Sequence, residues 1–213
     1  MKCDKAWMPL YAVTDRAWLN GQTLAEQVEA SLKGGVTCVQ LREKELDQPA
    51  FLEEALTLKA LCSRYGVPMI VNDDVDVAIQ SGADGVHIGQ HDAAASTVRR
   101  RIGPDKLLGV SAQTVEQAIR AEADGADYLG VGAVFSTGTK PDADDVSFHT
   151  LQAICQAVSI PVVAIGGIKA DNLHRLSGSG IDGVAVVSAL FAAEDIRAAA
   201  AALREKVKEE LGV

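Results

Sequence analysis

Eight short apolar segments rich in β-branched residues recur along the chain, and each is followed by a segment rich in Ala, Leu and Glu with helical spacing. Short apolar runs of this composition are typical of buried strands, and the longer stripes are typical of amphipathic helices. We expect a last helix over 192–211, with Glu205, Lys208 and Glu209 facing solvent. We expect strands over 10–13, 37–41, 69–71, 85–88, 107–110, 128–131, 162–165 and 184–187.

The alternation of strands and helices predicts a parallel sheet with right-handed crossovers. Glycine precedes five of the strands, and a Gly-Ala/Ile-Asp sequence recurs there, which indicates a weak repeat of about one βα unit. An open dinucleotide-binding sheet would carry G-x-G-x-x-G after its first strand, but that strand ends in Thr14-Asp15-Arg16. The predicted fold class is therefore α/β, a single (β/α)8 TIM barrel forming one domain over residues 1–213.

Charge and composition argue against two classes of partner, nucleic acids and membranes. Net charge is −9 and the sequence pI is about 4.9, which argues against a nucleic-acid partner. No stretch approaches the roughly 18 apolar residues of a membrane span, and no apolar signal core begins the chain. The four cysteines are far apart and form no C-x-x-C pair. We expect a cytoplasmic protein without membrane partners, and this composition is compatible with a homo-oligomer.

Polar residues collect directly after the second predicted strand. Period-2 alternation places Gln40, Arg42 and Lys44 on one face. Two cations at one strand end are costly to bury unless an anion neutralises them, so the pattern favours a phosphate-binding role. In the alternative interpretation, Arg42 and Lys44 only pair with carboxylates of the barrel such as Asp73.

Carboxylates follow the next two strands and suggest a metal site. Active sites of such barrels lie at the carboxyl ends of the strands, so Asp73 and Asp92 are expected close together. Mg²⁺ commonly takes one or two protein carboxylates and substrate phosphate oxygens, so we predict Mg²⁺ at this pair. Asp74 and Asp76 are expected to cap the following helix. His87 and His91 lack a convincing metal-ligand spacing, so we expect them to support the structure or to orient the residues that bind ligands.

The remaining strand ends carry groups suited to phosphate. Ser111 follows the fifth strand, and Thr137-Gly138-Thr139-Lys140 lies in a polar loop that we expect to act as a lid over the site. Gly166-Gly167 and Val187-Ser188 follow strands seven and eight, whose loops often bind phosphate in this fold. With no evident nucleophile or general base, the two anion sites favour a substitution in which diphosphate leaves.

Eight motifs in order resemble the thiamine phosphate synthase family over almost the whole chain. They are residues 11–15 (YAVTD), 39–44 (VQLREK), 71–74 (VNDD), 85–92 (GVHIGQHD), 109–111 (GVS), 137–140 (TGTK), 165–168 (IGGI) and 182–188 (DGVAVVS). The resemblance implies a Mg²⁺-dependent transferase that joins a pyrimidine diphosphate to a thiazole phosphate, through a pyrimidine methylene cation. It also implies that a carboxylated thiazole is usable, with loss of CO₂.

The resemblance assigns a role to each matching residue. It implies catalytic roles for Arg42, Lys44, Ser111 and Lys140, and Mg²⁺ binding by Asp73 and Asp92. The pyrimidine diphosphate would be held by Gln40, Leu41, Arg42, Glu43, Lys44, Asn72, Ser111 and Lys140. The thiazole phosphate would be held by Thr137, Gly138, Thr139, Gly167, Val187 and Ser188.

Three other functions compete with this hypothesis. A thiazole tautomerase of the same barrel family would share the thiazole phosphate site but lack the full diphosphate and Mg²⁺ set. A Schiff-base lyase would need Lys44 or Lys140 in an apolar setting, whereas both have polar neighbours. A non-catalytic sensor of phosphorylated metabolites would have no need for a complete catalytic set.

Overall fold

Eight parallel strands form a closed barrel in sequential order, β1 to β8, with β8 paired to β1. The computed structural model of the chain describes residues 3–136 and 146–213. The strands are β1 (Leu10–Val13), β2 (Cys38–Leu41), β3 (Met69–Asn72), β4 (Gly85–Ile88), β5 (Leu107–Ala112), β6 (Tyr128–Val131), β7 (Val162–Ile165) and β8 (Gly183–Val186). The predicted barrel is confirmed, and four of the strands have the bounds expected from the sequence.

Helices cover the outside of the barrel. They are α1 (Leu24–Lys33), α2 (Gln48–Tyr65), α3 (Val75–Gln80), α4 (Ala95–Ile102), α5 (Val115–Ala123), α6 (Phe148–Ala157), α7 (Ser188–Phe191) and α8 (Ile196–Leu211), with 3-10 helices at Lys5–Trp7, Arg16–Trp18 and Leu173–Leu176. Of the described helices, none is long and apolar enough to cross a membrane.

Two helical expectations need correction. Between β7 and β8 the chain forms only the 3-10 helix Leu173–Leu176, where a regular helix was expected. Glycines closely flank this stretch, and Gly178 and Gly180 have positive φ, which leaves little room for a longer helix. The last helix begins at Ile196 rather than at 192, because the Asp195 side chain accepts a hydrogen bond from Ala198 N and caps it there.

Side chains of each strand alternate between two apolar layers. One layer lies between strands and helices and contains residues such as Val39, Leu41 and Val71. The second layer fills the lumen of the barrel and includes Tyr11 and Tyr128, both about 1% exposed. A filled lumen closes one route through the barrel, so a ligand can approach only from a rim.

The recurring Gly-x-Asp sequence fastens alternate strands at the amino-terminal rim. The carboxylates accept hydrogen bonds from an N–H at the start of the preceding strand, as Asp84 from Met69, Asp127 from Leu108 and Asp182 from Val162, at 2.8, 2.8 and 2.9 Å. Thr37 does the same for Leu10 N at 2.9 Å. These residues precede β2, β4, β6 and β8, so the repeat spans two βα units, not one as predicted. Active sites of such barrels lie at the opposite rim, where the strands have their carboxyl ends.

Candidate active site

The loop after β2 carries two cations that already contact carboxylates. Arg42 Nη1 lies 3.4 Å from Asp15 Oδ2, and Lys44 Nζ lies 2.6 Å from Asp73 Oδ2. Strand β2 ends at Leu41, so the alternation predicted through Lys44 does not continue as a strand. The pairing expected in the alternative interpretation is therefore present for both cations, and Lys44 contacts the carboxylate named there, Asp73. The same geometry places its ammonium beside one of the two predicted metal ligands.

Glu43 and Leu41, both expected to contact substrate, have their side chains engaged elsewhere. Glu43 Oε1 accepts hydrogen bonds from the backbone N–H of Lys44 and Glu45 at 2.7 and 2.8 Å, and Oε2 pairs with Arg16. Burial opposes ionisation of Glu43, but these donors hold its pKa below the usual range. Leu41 is fully buried in the layer facing the helices. Only the main chain of Leu41 can contribute to a ligand site.

Asp73 adopts a backbone conformation that is unusual for a residue other than glycine. Its φ is +63°, in the left-handed region. The Asp73 N–H donates to His87 O at 2.8 Å, and Asn72 Nδ2 donates to Asp73 Oδ1 at 2.8 Å. Such strain, of order 1 kcal/mol or more, persists where neighbours hold it, and it is concentrated at functional sites. These contacts aim the Asp73 carboxylate into the rim.

Asp92 comes from the next strand end and lies beside Asp73. Its Oδ2 accepts a hydrogen bond from Gly89 N at 2.7 Å. Partial desolvation raises the pKa of Asp92, and the nearby Asp73 carboxylate raises it further, although Gly89 N–H and Lys44 act in the opposite direction. A cation placed between two such carboxylates would relieve their mutual repulsion.

The donor set suits Mg²⁺ better than a metal that needs a protein cage. Within residues 3–136 and 146–213, no group of three or more His, Cys, Asp or Glu side chains is arranged to hold a metal ion. Mg²⁺ commonly uses one or two carboxylates and completes its coordination with water and phosphate oxygens. Asp73 and Asp92 therefore fit Mg²⁺ bound together with a phosphorylated ligand.

Ser111, in β5, belongs to a line of hydrogen bonds through the lumen. Its Oγ lies 3.0 Å from His87 Nε2, and His87 Nδ1 lies 3.1 Å from the Tyr128 hydroxyl. The Tyr128 hydroxyl lies 2.7 Å from that of Tyr11, which accepts from Gln40 Nε2 at 2.9 Å. The line ends at two residues expected to hold the pyrimidine diphosphate, Gln40 and Ser111.

The double glycine after β7 packs against the loop that follows β6. A Cβ on Gly166 would lie 2.6 Å from Ala133 Cα, and one on Gly167 would lie 2.7 Å from Ser136 O. Both residues have positive φ. Contact with this loop therefore explains both glycines without any ligand. Gly167 follows β7 and so lies at the carboxyl rim, where an anion was expected. Val187 and Ser188 lie at the start of α7, after β8.

Four of the predicted substrate residues, Thr137, Gly138, Thr139 and Lys140, lie outside the described residues. The structure describes the chain up to Ser136 before these residues and again from Val146 after them. Val146 N donates to Ala133 O at 2.7 Å, so both flanks of this loop meet close to β6 and β7. The flanks thus begin and end at the carboxyl rim.

An open cavity of about 360 Å³ lies at this rim, between the loops after β2 and β3. It is lined by Glu43, Lys44, Leu46, Gln48, Phe51, Asn72, Asp73 and Asp74. The Asp74 side chain accepts a hydrogen bond from Val77 N at 2.8 Å, so its predicted capping role is confirmed. The same prediction for Asp76 is wrong, because Asp76 lies inside α3 and pairs with Arg101. The cavity therefore opens directly onto Lys44 and Asp73.

Sequence reasoning did not single out four residues that position the site. Thr14 Oγ1 accepts a hydrogen bond from Arg42 N at 3.0 Å, and Asp15 pairs with the Arg42 guanidinium. Tyr11 and Tyr128 connect Gln40 to His87 inside the barrel. The tyrosines lie within apolar strands and looked like ordinary core. The sequence signal for Tyr128 is the inward glycine two residues later, Gly130, and the signal for Tyr11 is its place in the motif over residues 11–15.

Comparison with known proteins points to one family. The family model described as thiamine monophosphate synthase matches residues 10–190. The chain is 52% identical over 196 residues to the thiamine-phosphate synthase of Ruminiclostridium cellulolyticum, covering 92% of this chain and 93% of that protein. It is also 52% identical over 199 residues to the thiamine-phosphate synthase of Chloroflexus aurantiacus, covering 93% and 92%.

The fold agrees with a solved structure of the same kind. Thiamine phosphate pyrophosphorylase from Pyrococcus furiosus superposes with a TM-score of 0.90 at 40% identity, covering 98% of this chain and 99% of that one. The same barrel occurs in 3-hexulose-6-phosphate synthase, with a TM-score of 0.64 at 18% identity, where the likeness extends to the fold alone.

Proposed function

The chain belongs to the thiamine monophosphate synthase family, whose members are transferases of thiamine biosynthesis, and on that premise we propose the reaction that its own site performs. An aminopyrimidine diphosphate and a thiazole phosphate are joined, and diphosphate is released. The observation that supports this most is the convergence of Lys44, Asp73, Asp92 and Ser111 at one rim, from four consecutive strands. This set combines cation, carboxylate and hydroxyl groups around a space open to a diphosphate.

Bond breaking precedes bond making in the proposed reaction. The C–O bond between the pyrimidine methylene and the diphosphate breaks, and its electron pair leaves with the diphosphate. The thiazole nitrogen then donates its lone pair to the methylene cation, which forms the new C–N bond. The positive charges of Lys44 and Arg42 stabilise the negative charge that develops on the departing diphosphate. Ser111 donates a hydrogen bond to the same diphosphate. We propose the same role for Lys140.

Asp73 and Asp92 would hold Mg²⁺ in this reaction. When bound there, Mg²⁺ supplies positive charge to the diphosphate oxygens and so makes the diphosphate a better leaving group. The ion pair between Lys44 and Asp73 keeps the Lys44 ammonium beside the proposed metal position, where the diphosphate would bind. The chain's own groups thus surround the leaving group on two sides.

The thiazole phosphate is proposed to bind at the other side of the rim, near Gly167, Val187 and Ser188, with Thr137 to Thr139. If the thiazole carries a carboxylate, CO₂ leaves after the C–N bond forms, and the electron pair left on the ring carbon takes up a proton. We also propose a single domain over residues 1–213 and a cytoplasmic location, both from sequence alone.

A thiazole tautomerase is the nearest alternative, and the relatives described above favour the synthase because they carry that name. The experiment is to incubate purified protein with both substrates, with Mg²⁺ or with EDTA, and to measure diphosphate and thiamine phosphate. We expect equal amounts of both products, and only with Mg²⁺. Conversion of the thiazole with no release of diphosphate would instead establish the tautomerase. A ¹³C-labelled carboxyl group would report CO₂ release.

Asp92→Ala tests the metal pair. The variant should lower kcat by about 100-fold or more, the scale of losing a preorganised electrostatic group, while its unfolding temperature stays close to that of the wild type. Asp105→Ala is the matched control, because Asp105 is exposed between α4 and β5, at the opposite rim. Wild-type turnover by the Asp92 variant would remove this residue from the mechanism.

A further inference from the structure

Five polar side chains form a continuous hydrogen-bonded line across the barrel lumen. In order they are Gln40, Tyr11, Tyr128, His87 and Ser111, from β2, β1, β6, β4 and β5. The four separations are 2.9, 2.7, 3.1 and 3.0 Å. All of these side chains are buried except Ser111, which reaches the rim. Buried polar groups of this kind are retained only when each proton has a defined acceptor.

Space for this hydrogen-bonded line exists because two neighbouring positions have no side chain. Gly109 and Gly130 face the lumen beside His87 and Tyr128. A Cβ on Gly109 would lie 2.4 Å from His87 Nδ1 and 2.3 Å from the Tyr128 hydroxyl oxygen. A Cβ on Gly130 would lie 3.0 Å from His87 Cε1. Any residue larger than glycine at these two positions would therefore crowd the imidazole.

The direction of the line follows from its first member. Gln40 Nε2 can only donate, so the Tyr11 oxygen accepts from it, and the Tyr11 proton is directed to Tyr128. In this direction Tyr128 donates to His87 Nδ1, which is then the unprotonated nitrogen of the ring. A neutral imidazole with a bare Nδ1 carries its proton on Nε2, and this proton is directed to Ser111 Oγ. Burial raises the pKa of both tyrosines, so both keep the protons that the line requires.

We propose that His87 is a positioning residue: its Nε2–H holds the Ser111 oxygen as an acceptor, so that the Ser111 proton points into the site toward the departing diphosphate. This inference rests on the proposed function, which places Ser111 and Gln40 against one substrate. The two tyrosines connect the ends of the line, so the amide that holds the pyrimidine also fixes the imidazole tautomer. Gln90 Nε2 donates to Ser111 O at 2.6 Å and holds the main chain of the same residue.

Two substitutions of His87 separate positioning from space filling. In His87→Gln the side-chain amide reaches the place of Nε2 and can still donate to Ser111, whereas in His87→Asn it reaches only the place of Nδ1. We expect His87→Asn to lower kcat by about 10- to 100-fold, the loss typical of removing an orienting partner, and His87→Gln to lower it by only about 5-fold. The KM for the thiazole phosphate should stay unchanged in both. Equal losses in the two variants would overturn the proposal.

A double-mutant cycle with Ser111→Ala shows whether His87 acts through Ser111. If it does, His87→Asn costs little further activity once Ser111 is alanine, because interacting residues are non-additive. Independent, additive losses would overturn the inference and leave the proposed function standing. An unchanged kcat in Ser111→Ala would overturn the role proposed for Ser111, and this inference with it, whereas the assay of diphosphate and thiamine phosphate still decides the proposed function.

The tautomer can be observed without any activity. ¹⁵N NMR of the wild-type chain should show His87 protonated at Nε2 and bare at Nδ1, with its signals assigned by their loss in His87→Gln. Tyr128→Phe removes the donor to Nδ1, and a proton should then appear on Nδ1 in part of the population. A wild-type His87 protonated at Nδ1 would overturn the proposal, even if every variant folded poorly.

Discussion

Gly109→Ala should destabilise the barrel strongly, because Gly109 lies against Tyr128 and His87, in the middle of the hydrogen-bonded line across the lumen. A Cβ at this position would stand 2.2 Å from Tyr128 Cζ, 2.3 Å from its hydroxyl oxygen and 2.4 Å from His87 Nδ1. Real Cβ atoms do not approach heavy atoms so closely. The neighbours are a rigid ring and an imidazole, and both are held by hydrogen bonds inside a closed sheet.

The magnitude follows from how far these neighbours must move. Relief of a 2.2 Å contact to ordinary van der Waals separation requires a shift of more than 1 Å. Such a shift breaks the contact between Tyr128 and His87. Overpacking of a well-packed core costs typically 1–3 kcal/mol, and loss of one buried hydrogen bond adds about 1 kcal/mol. We expect a loss of about 3 kcal/mol, or roughly 6–12 °C in unfolding temperature for a chain of this size.

Urea unfolding followed by circular dichroism measures this difference, after reversibility has been checked. Gly130→Ala is the matched control, since its Cβ would lie 3.0 Å from His87 Cε1 and needs a shift of only a few tenths of an ångström. That variant should lose about 1 kcal/mol. If Gly109→Ala unfolded within about 0.5 kcal/mol of the wild type, the lumen would be far looser than the structure indicates.

Two further changes test the amino-terminal rim and the loop after β2. Asp127→Ala should lower the free energy of unfolding by about 2–3 kcal/mol in urea titrations, because it leaves Leu108 N–H buried without its acceptor, and Asp127→Asn should recover part of this through the amide oxygen. Glu43 has a lowered pKa, so its stabilisation is present above the ordinary value of 4.5 and is lost as pH falls below it. Acid unfolding of Glu43→Gln should therefore be shallower below pH 4.5, and parallel curves would refute this.

Much of the site could be predicted from the polar residues that directly follow the apolar strands. Parallel strands of a barrel end at one rim, so Arg42, Lys44, Asp73 and Ser111 could be assigned to one region from their places after apolar runs. Their chemical roles remain predictions that the assays above address. The sequence could not indicate that Glu43 folds its carboxylate back onto its own loop, because backbone donors leave no pattern in side chains.

The short apolar runs in the sequence predicted the eight strands, and their alternation with helical segments predicted the parallel order and the closed barrel, because strands of a parallel sheet are buried on both faces. The repeated Gly-x-Asp was also visible, but its pairing with every second strand became clear only when Asp84, Asp127 and Asp182 were seen against their neighbours. Only the tertiary structure decided that Tyr11, Tyr128 and His87 meet. These residues lie far apart along the chain, and closure of the sheet alone brings them within hydrogen-bonding distance.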